Sequence, residues 1–289
     1  MGAHMITIRR LSDCSLSDIL KAWNNGFAGY FVKMEFTTDQ FLNRLVQEGL
    51  STDLSIVAFD EDIPVGIVLN GVRFYQDKKI AWNGGTGVDK NYRQRGIGKR
   101  LIEETLEIYH QEGIESATLE AISENKPAIA LYEKLGYKIT DRILHLVKDG
   151  ELHFPKLHVS YRIEKCLPRE TAYLPFYQSR STWQTQWQSV KDGEALLLYN
   201  HNDEAVAYAI YKKIWDESDN IKSIYLYQLE CRDDQSLDAF YVLLKEVFQH
   251  PNTIKHIINF SLSQLDMYTI LNQLGFVQMV EQVQMERVV

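Results

Sequence analysis

The sequence predicts an α/β protein made of two tandem copies of one unit, each a twisted sheet flanked by helices. Three observations carry this. Period-two apolar runs alternate with helical stripes along the whole chain rather than segregating. The order of these elements in the first half recurs in the second. Each half also contains a helical stripe ending in leucine, glycine and an aromatic: Leu135-Gly136-Tyr137, then Leu274-Gly275-Phe276. A length of 289 residues suits two ordinary domains better than one large one. The boundary is expected between about 148 and 160, giving domains at 5–150 and 158–289.

The elements follow in order. Ile6 to Arg10 reads as a short strand. Ser15 to Gly26 reads as a helix with Leu16, Ile19, Leu20 and Trp23 on one face. A second helix carries Phe41, Leu42 and Leu45, with Thr38 as its expected cap and Gly49 as its stop. Leu54–Phe59, the acidic turn Asp60-Glu61-Asp62, and Pro64–Leu69 read as a hairpin. A strand from about Lys79 to Val88 carries Gly84, Gly85 and Gly87, which point to a bulge or a close backbone approach. A helix with Leu101, Ile102, Leu106 and Tyr109 inside comes next, then a strand at 117–122. A further helix, capped by Asn125 or Lys126, has Ala128, Leu131, Tyr132 and Leu135 at i, i+3, i+4, i+7. Pro127 is tolerated in its first turn, and Gly136 is its left-handed stop.

In the second half, Tyr161 to Lys165 mirrors the first strand. A looser segment with Trp183 and Trp187 precedes a hairpin, Ala195–Tyr199 and Ala205–Tyr211. A strand at 222–230, a helix at 236–248, a strand at 254–261 and a helix at about 263–274 complete the copy.

Composition narrows the function. Hydrophobic residues make up 45% and charged residues 24%, the mix of a soluble globular protein. No apolar run reaches the roughly 18 residues of a membrane span, so no membrane partner is expected. No secretory signal is visible. Met1 to His4 resemble the scar of a cleaved tag, with a natural start at Met5. Cys14, Cys166 and Cys231 are far apart, with no metal-ligand spacing; no metal and a reducing, cytoplasmic setting are expected. A net charge of −8 argues against general nucleic-acid affinity. It fits a cationic substrate, and equally a need for solubility.

The stretch with chemical content is Arg93-Gln94-Arg95-Gly96-Ile97-Gly98-Lys99-Arg100, between a strand and a helix. Two closely spaced glycines let backbone N–H groups approach an anion. The helix start adds free N–H groups and the positive end of its dipole. Such a segment is either a solvated basic turn or a phosphate site. Its spacing matches neither the dinucleotide fingerprint nor the P-loop.

Two motifs give the stretch a family. R-x-x-G-x-G after a glycine-containing strand, followed by Asn125-x-x-Ala128-x-x-Leu131-Tyr132-Glu133-Lys134-Leu135-Gly136-Tyr137, resembles the GNAT superfamily of N-acetyltransferases. The resemblance covers about Ile6 to Val147 and extends over 160–288 as a topology only. It implies tandem GNAT-like domains, each with a mixed, mostly antiparallel twisted sheet. It implies acetyl-CoA as acyl donor and an amine acceptor, a small molecule or a peptide, attacked directly without a covalent enzyme intermediate. The cofactor-binding residues it implies are Val88, Arg93, Gln94, Arg95, Gly96, Ile97, Gly98, Lys99, Arg100 and Asn125. The backbone of Val88 would meet the pantetheine arm. Tyr132 would protonate the leaving thiolate; on residue type alone it is equally a core aromatic. Many members carry a glutamate on the strand before the pyrophosphate loop, and this sequence has none there. Glu120 on the neighbouring strand is the best replacement as general base, or else an exposed strand carboxylate. Glu35 and ordered water are further options. Tyr30, Phe31 and Glu35 are expected near the acceptor. A non-catalytic acyl-CoA-binding regulatory or scaffold protein is the alternative. Oligomeric state is not legible.

The second copy lacks the cofactor motif. Its counterpart of the pyrophosphate loop reads Cys231-Arg232-Asp233-Asp234-Gln235-Ser236, without glycine and with two aspartates. Leu271 stands where Tyr132 stands in the first.

Overall fold

The structure, a computed structural model, describes residues 6–75, 77–157, 160–232 and 237–289. The expected start at Met5, the first two residues of the expected second domain, and Asp233 to Ser236 of the acidic stretch lie outside the described residues. The chain divides into two compact units. One comprises the described residues up to Thr140 together with Val283–Val289; the other is Asp141–Gln282.

The first unit contains β1 (Ile6–Arg10), α1 (Leu16–Gly26), α2 (Thr38–Glu48), β2 (Leu50–Asp60), β3 (Ile63–Tyr75), β4 (Lys78–Val88), α3 (Ile97–Gln111), β5 (Ser116–Ile122) and α4 (Lys126–Lys134). β1 to β4 pair antiparallel in sequence order, and β4 pairs parallel with β5. Beyond β5 the sheet is completed by Val283–Val289, where Ser116 Oγ donates to Glu286 Oε1 at 2.6 Å and Val289 N to Glu115 O at 3.1 Å.

The second unit contains residues 141–149 of β6 (Lys138–Asp149), then β7 (Arg162–Cys166), β8 (Glu194–Tyr199), β9 (Ala205–Trp215), β10 (Ile221–Cys231), α5 (Leu237–Val247), β11 (Ile254–Ser261), α6 (Leu265–Gln273) and the start of β12 (Val277–Val288). Its sheet is again antiparallel except for one parallel pair, β10 with β11. Residues 143–149 of β6 pair antiparallel with β11. Each half of the chain therefore donates the end of one strand to the unit built mainly from the other half. Nothing in the apolar pattern of β6 or β12 distinguishes that exchange from an in-place strand.

Local chemistry fixes the helices that frame the first unit's site. Ser15 caps α1, its Oγ accepting from Asp18 N at 3.1 Å. The cap of α2 is Thr37, not Thr38: Thr37 Oγ1 accepts from Gln40 N at 3.3 Å and Gln40 Oε1 from Thr37 N at 3.0 Å. This reciprocal box needs Gln at the third helical position, which only the Thr37 start provides.

The strand glycines do what their pattern suggested. Gly84 is the extra residue of a bulge, since Gly85 faces Leu69 and Asn83 faces Asn70. A Cβ on Gly87 would lie 2.8 Å from Phe27 Cε2, and one on Gly26 would lie 2.9 Å from the Gly87 carbonyl carbon. α1 thus docks on β4 at backbone contact distance. Trp23, fully buried, packs against Phe27 and Phe41 on that face. The opposite face is closed by α3 and α4 around Leu101, Ile102, Tyr109, Leu119 and Ile129.

Candidate active site

Parallel pairing of β4 with β5 runs from Ile80 and Ser116 to Asn83 and Leu119 and then stops. The bulge at Gly84 turns the rest of β4 away, so 84–88 and 120–122 diverge. Side chains alternate across this opening. Ala81 and Val88 join the α3/α4 core, while Gly85 and Gly87 face α1.

The basic loop lies at the end of β4. Its side chains are occupied in building the turn. Arg93 Nε donates to Val88 O at 2.9 Å and Arg93 Nη2 to Gly26 O at 3.1 Å, tying β4 to the end of α1. Arg95 Nη2 donates to Asn91 O at 2.9 Å, with its guanidinium 5.0 Å from the Tyr92 ring centre. Lys99 pairs with Glu103 at 3.2 Å, and Arg100 Nη1 donates to Ile6 O at 2.7 Å. None of these partnerships with carbonyls cancels the positive charge.

Gln94 (φ 63°) and Gly96 (φ 80°) adopt left-handed backbone, which aims the turn into α3. Gly96 is the N-cap and no side chain caps the helix. The first N–H groups of α3 have no intrahelical acceptor. A Cβ on Gly96 would meet nothing within 4 Å, and one on Gly98 only Leu131 Cδ2 at 3.7 Å and Val88 Cγ2 at 3.8 Å. The helix start is therefore bare backbone beside open space, a cradle that fits a pyrophosphate. The carbonyl of Val88 accepts from Arg93 and keeps one lone pair for a further donor.

Tyr132, on α4, is 7% exposed and meets the Tyr137 ring edge-on at 5.9 Å. Its hydroxyl hydrogen-bonds the Thr86 hydroxyl on β4; burial pushes the phenol up to about 12, with the Thr86 bond working against that rise. Thr86 Oγ1 in turn accepts from Asn83 Nδ2 at 2.8 Å. Asn125 caps α4, its Oδ1 accepting from Ala128 N at 3.3 Å. Tyr30 reaches the same place from the α1–α2 connection. Burial raises its pKa, although its hydroxyl bonds the Asn125 side chain and the Ile122 backbone. Phe31 and Glu35 of that connection are exposed.

Glu120 is not an exposed carboxylate. Its Oε2 accepts from Trp82 Nε1 at 2.7 Å, and its Oε1 is buried without a partner among the described residues. Burial pushes its pKa up to about 7; the Trp82 bond opposes this and the charge of Glu48 reinforces it. The residues the sequence left out here are Trp82, Thr86, Arg44 and Glu48. Alternation along β4 was the available signal for Trp82 and Thr86. Arg44 and Glu48 come from α2, and no motif marks them.

Residues 19–137 match the model of the acetyltransferase (GNAT) family. The N-alpha-acetyltransferase MAK3 of Arabidopsis thaliana is 38% identical over 78 residues, which are 25% of this chain and 41% of that protein. The [ribosomal protein bS18]-alanine N-acetyltransferase of Escherichia coli K12 is 38% identical over 50 residues, 17% of this chain and 34% of its own length. The chain thus spans less than half of either relative. Among solved structures, a tandem GNAT protein from the clavulanic acid biosynthesis pathway superposes with a TM-score of 0.65 at 12% identity, covering 98% of both chains. A GCN5-related glucosamine N-acetyltransferase region of a fungal multi-domain enzyme gives 0.72 at 16% identity, over 99% of this chain and 38% of that one. These two show the fold. Residues 19–137 thus carry sequence that matches the GNAT family, and the fold of tandem GNAT proteins extends over nearly the whole chain.

No group of three or more metal-ligating side chains occurs among the described residues, and no described helix is long and apolar enough to cross a membrane.

Proposed function

We propose that the first unit transfers an acetyl group from acetyl-CoA to a primary amine. The observation that carries this is the pair of buried groups on opposite faces of the β4/β5 opening: Glu120, with an unpartnered oxygen, and Tyr132, held by Thr86. Acetyl-CoA supplies the acyl carbon as a thioester.

The N–H groups at the start of α3 hold the pyrophosphate, with Gly96 and Gly98 leaving room for its approach. Val88 contributes through its N–H, and Asn125 through its place at the head of α4. Glu120 takes the proton that the amine loses as its nitrogen bonds the acyl carbon. A carboxylate near pH 7 is well matched to that task. As the carbon–sulfur bond breaks, the Tyr132 hydroxyl donates to the departing sulfur. A phenol near 12 gives up its proton to a thiolate near 8.5 only uphill, so its main effect is a hydrogen bond to the developing negative charge.

The second unit, in this reading, takes no acyl-CoA and acts on stability or specificity. Support comes from the family match to 19–137, the bare helix start and the two relatives named as N-acetyltransferases. Thiol release from acetyl-CoA across an amine panel tests it. Tyr132→Phe should lower turnover by roughly 10²–10⁴ while acetyl-CoA affinity stays within a few-fold. Acetyl-CoA binding with no amine acetylated by the wild-type protein would favour the non-catalytic regulatory or scaffold role.

A further inference from the structure

Two charged side chains beside the opening each keep one buried polar atom without a partner. Arg44, on α2, is 11% exposed; its Nε donates to Glu48 at 2.8 Å and its Nη2 to the bulge carbonyl of Gly84 at 2.6 Å. Its guanidinium lies 4.6 Å from the Trp23 ring centre and 5.7 Å from that of Phe36, which fixes its plane. Its Nη1 is buried and makes no hydrogen bond among the described residues. Glu120 Oε1 is in the same condition.

The two belong to one cluster. Arg44 grips the Gly84 carbonyl; a Cβ on Gly84 would lie 2.6 Å from the Trp82 ring; and the Trp82 indole N–H holds Glu120. Buried donors and acceptors are almost always satisfied, and an orphaned charged one costs more than a neutral one. One such atom is a local defect. A cationic donor and an anionic acceptor lacking partners in one cluster, joined through Glu48, which pairs with Arg44 and whose charge is felt at Glu120, match a ligand that offers an amine N–H and an oxygen acceptor.

We propose that the acceptor is an α-amino carbonyl compound, an amino acid derivative or peptide N-terminus, whose amine meets Glu120 Oε1 and whose carbonyl oxygen meets Arg44 Nη1. This rests on the acetyl-transfer reading and names the substrate class of the same site. The proton arithmetic agrees. A free α-amine titrates at about 7.7–8.0 and a lysine side chain at about 10.4. At a pH where Glu120, near 7, is ionised, a sizeable fraction of the first is already the free base that attacks and very little of the second is, so Glu120 stays available for the proton lost as nitrogen bonds the acyl carbon. Arg44 is a binding residue here, oriented by Glu48, Trp23 and Phe36.

The test compares alaninamide with isopropylamine, which keeps the carbon skeleton and lacks the carboxamide, with rates expressed per free base. Wild-type kcat/KM should favour alaninamide by roughly 10- to 100-fold, the value of one hydrogen bond to a charged group. Arg44→Gln should bring that ratio to within about threefold of unity while acetyl-CoA affinity, read by titration, stays the same. Equal wild-type use of both amines would overturn the inference and leave the acetyl-transfer reading standing, as would an Arg44→Gln protein that keeps the preference. Acetyl-CoA bound with no amine acetylated would sink both. The wild-type ratio decides the matter even if Arg44→Gln does not fold.

Discussion

In the first unit parallel pairing stops at Asn83 and Leu119; in the second it stops at Leu226 and Ile257. One residue later each outgoing strand bulges, at Gly84 and at Tyr227. The residues heading α4 and α6 share one conformation, Asn125 at φ −79°, ψ 60° and Gln264 at φ −93°, ψ 60°. Both helices stop at a left-handed glycine, Gly136 and Gly275. The backbone of the opening is thus the same twice, and the side chains are not. Aligning Asn83 with Leu226 puts Gln228 and Glu230 where Gly85 and Gly87 stand, and Leu229 where Thr86 stands. The glycines that let α1 touch β4 are gone. A run of short 3-10 turns, 168–173, 183–185 and 187–189, replaces the helix. Gln228 Nε2 donates to Ser181 Oγ at 2.6 Å, and Gln264 Nε2 lies 3.3 Å from Glu230 Oε2. The Thr86–Tyr132 hydroxyl pair becomes Leu229 and Leu271, both packed in the apolar core. An opening is cheap to duplicate as backbone. Keeping it usable requires glycine where a strand must be approached and hydroxyls where a charge must leave.

The largest effect that would test this contrast is on acetyl-CoA binding. Titration should find one molecule per chain, and Gly96→Val should weaken it by more than about 100-fold, because a branched side chain at φ 80° is strained and projects over the helix start. Two molecules per chain would show that the second opening also works. Less drastic is the pH dependence of turnover. With Glu120 raised to about 7, kcat/KM expressed per free-base amine should climb as pH rises through about 7 and then level off. Glu120→Gln should flatten that limb, and a limb that survives in this variant assigns the base to another group.

The smallest effects are on stability. Glu120 binds its proton more tightly folded than unfolded, so it destabilises the fold progressively as pH rises from about 4.5 through 7. Glu120→Gln should therefore add about 1–3 kcal/mol to unfolding at pH 8 and almost nothing at pH 4.5. In the second unit the sign reverses. His145 Nε2 lies 3.0 Å from His256 Nδ1, with the His256 ring stacked on Tyr225 at 4.3 Å. Burial, with the neighbouring imidazole, holds His145 down at about 4, and burial lowers His256. Their contribution is full above about 6.5 and lost as pH falls toward 4. Denaturation curves at pH 8 and pH 5 for His145→Phe beside the parent chain would check it.

Much of this was legible in residue order. The order of helices and strands, the left-handed stops and the glycine bulge follow from short-range rules on periodicity and φ, and Arg93 to Gly98 stood out because glycine and arginine rarely crowd a strand end by accident. What escaped is long-range. Glu120 stayed between a general base and an exposed strand carboxylate because alternation says which face a side chain takes, not what covers that face. Arg44 and Glu48 enter through the packing of α2, which no local pattern encodes. The basic residues were read as charge for an anion, yet Arg93 and Arg100 spend their donors on the carbonyls of Val88, Gly26 and Ile6. Composition cannot distinguish a guanidinium that builds a turn from one that waits for a ligand.

Residues 283–289 complete the sheet beside β5, the strand that carries Glu120. On the ribosome these are made after every other residue of both units. The first unit therefore emerges early but waits for its last strand, with the edge of β5 exposed, until the second unit has been synthesised. Cutting the chain near 150 would yield not two independent domains but a first unit lacking a strand and a second lacking residues 141–149. The order of synthesis couples acquisition of the surroundings of Glu120 to completion of the second half, so the unit that carries the basic loop still requires the one that does not.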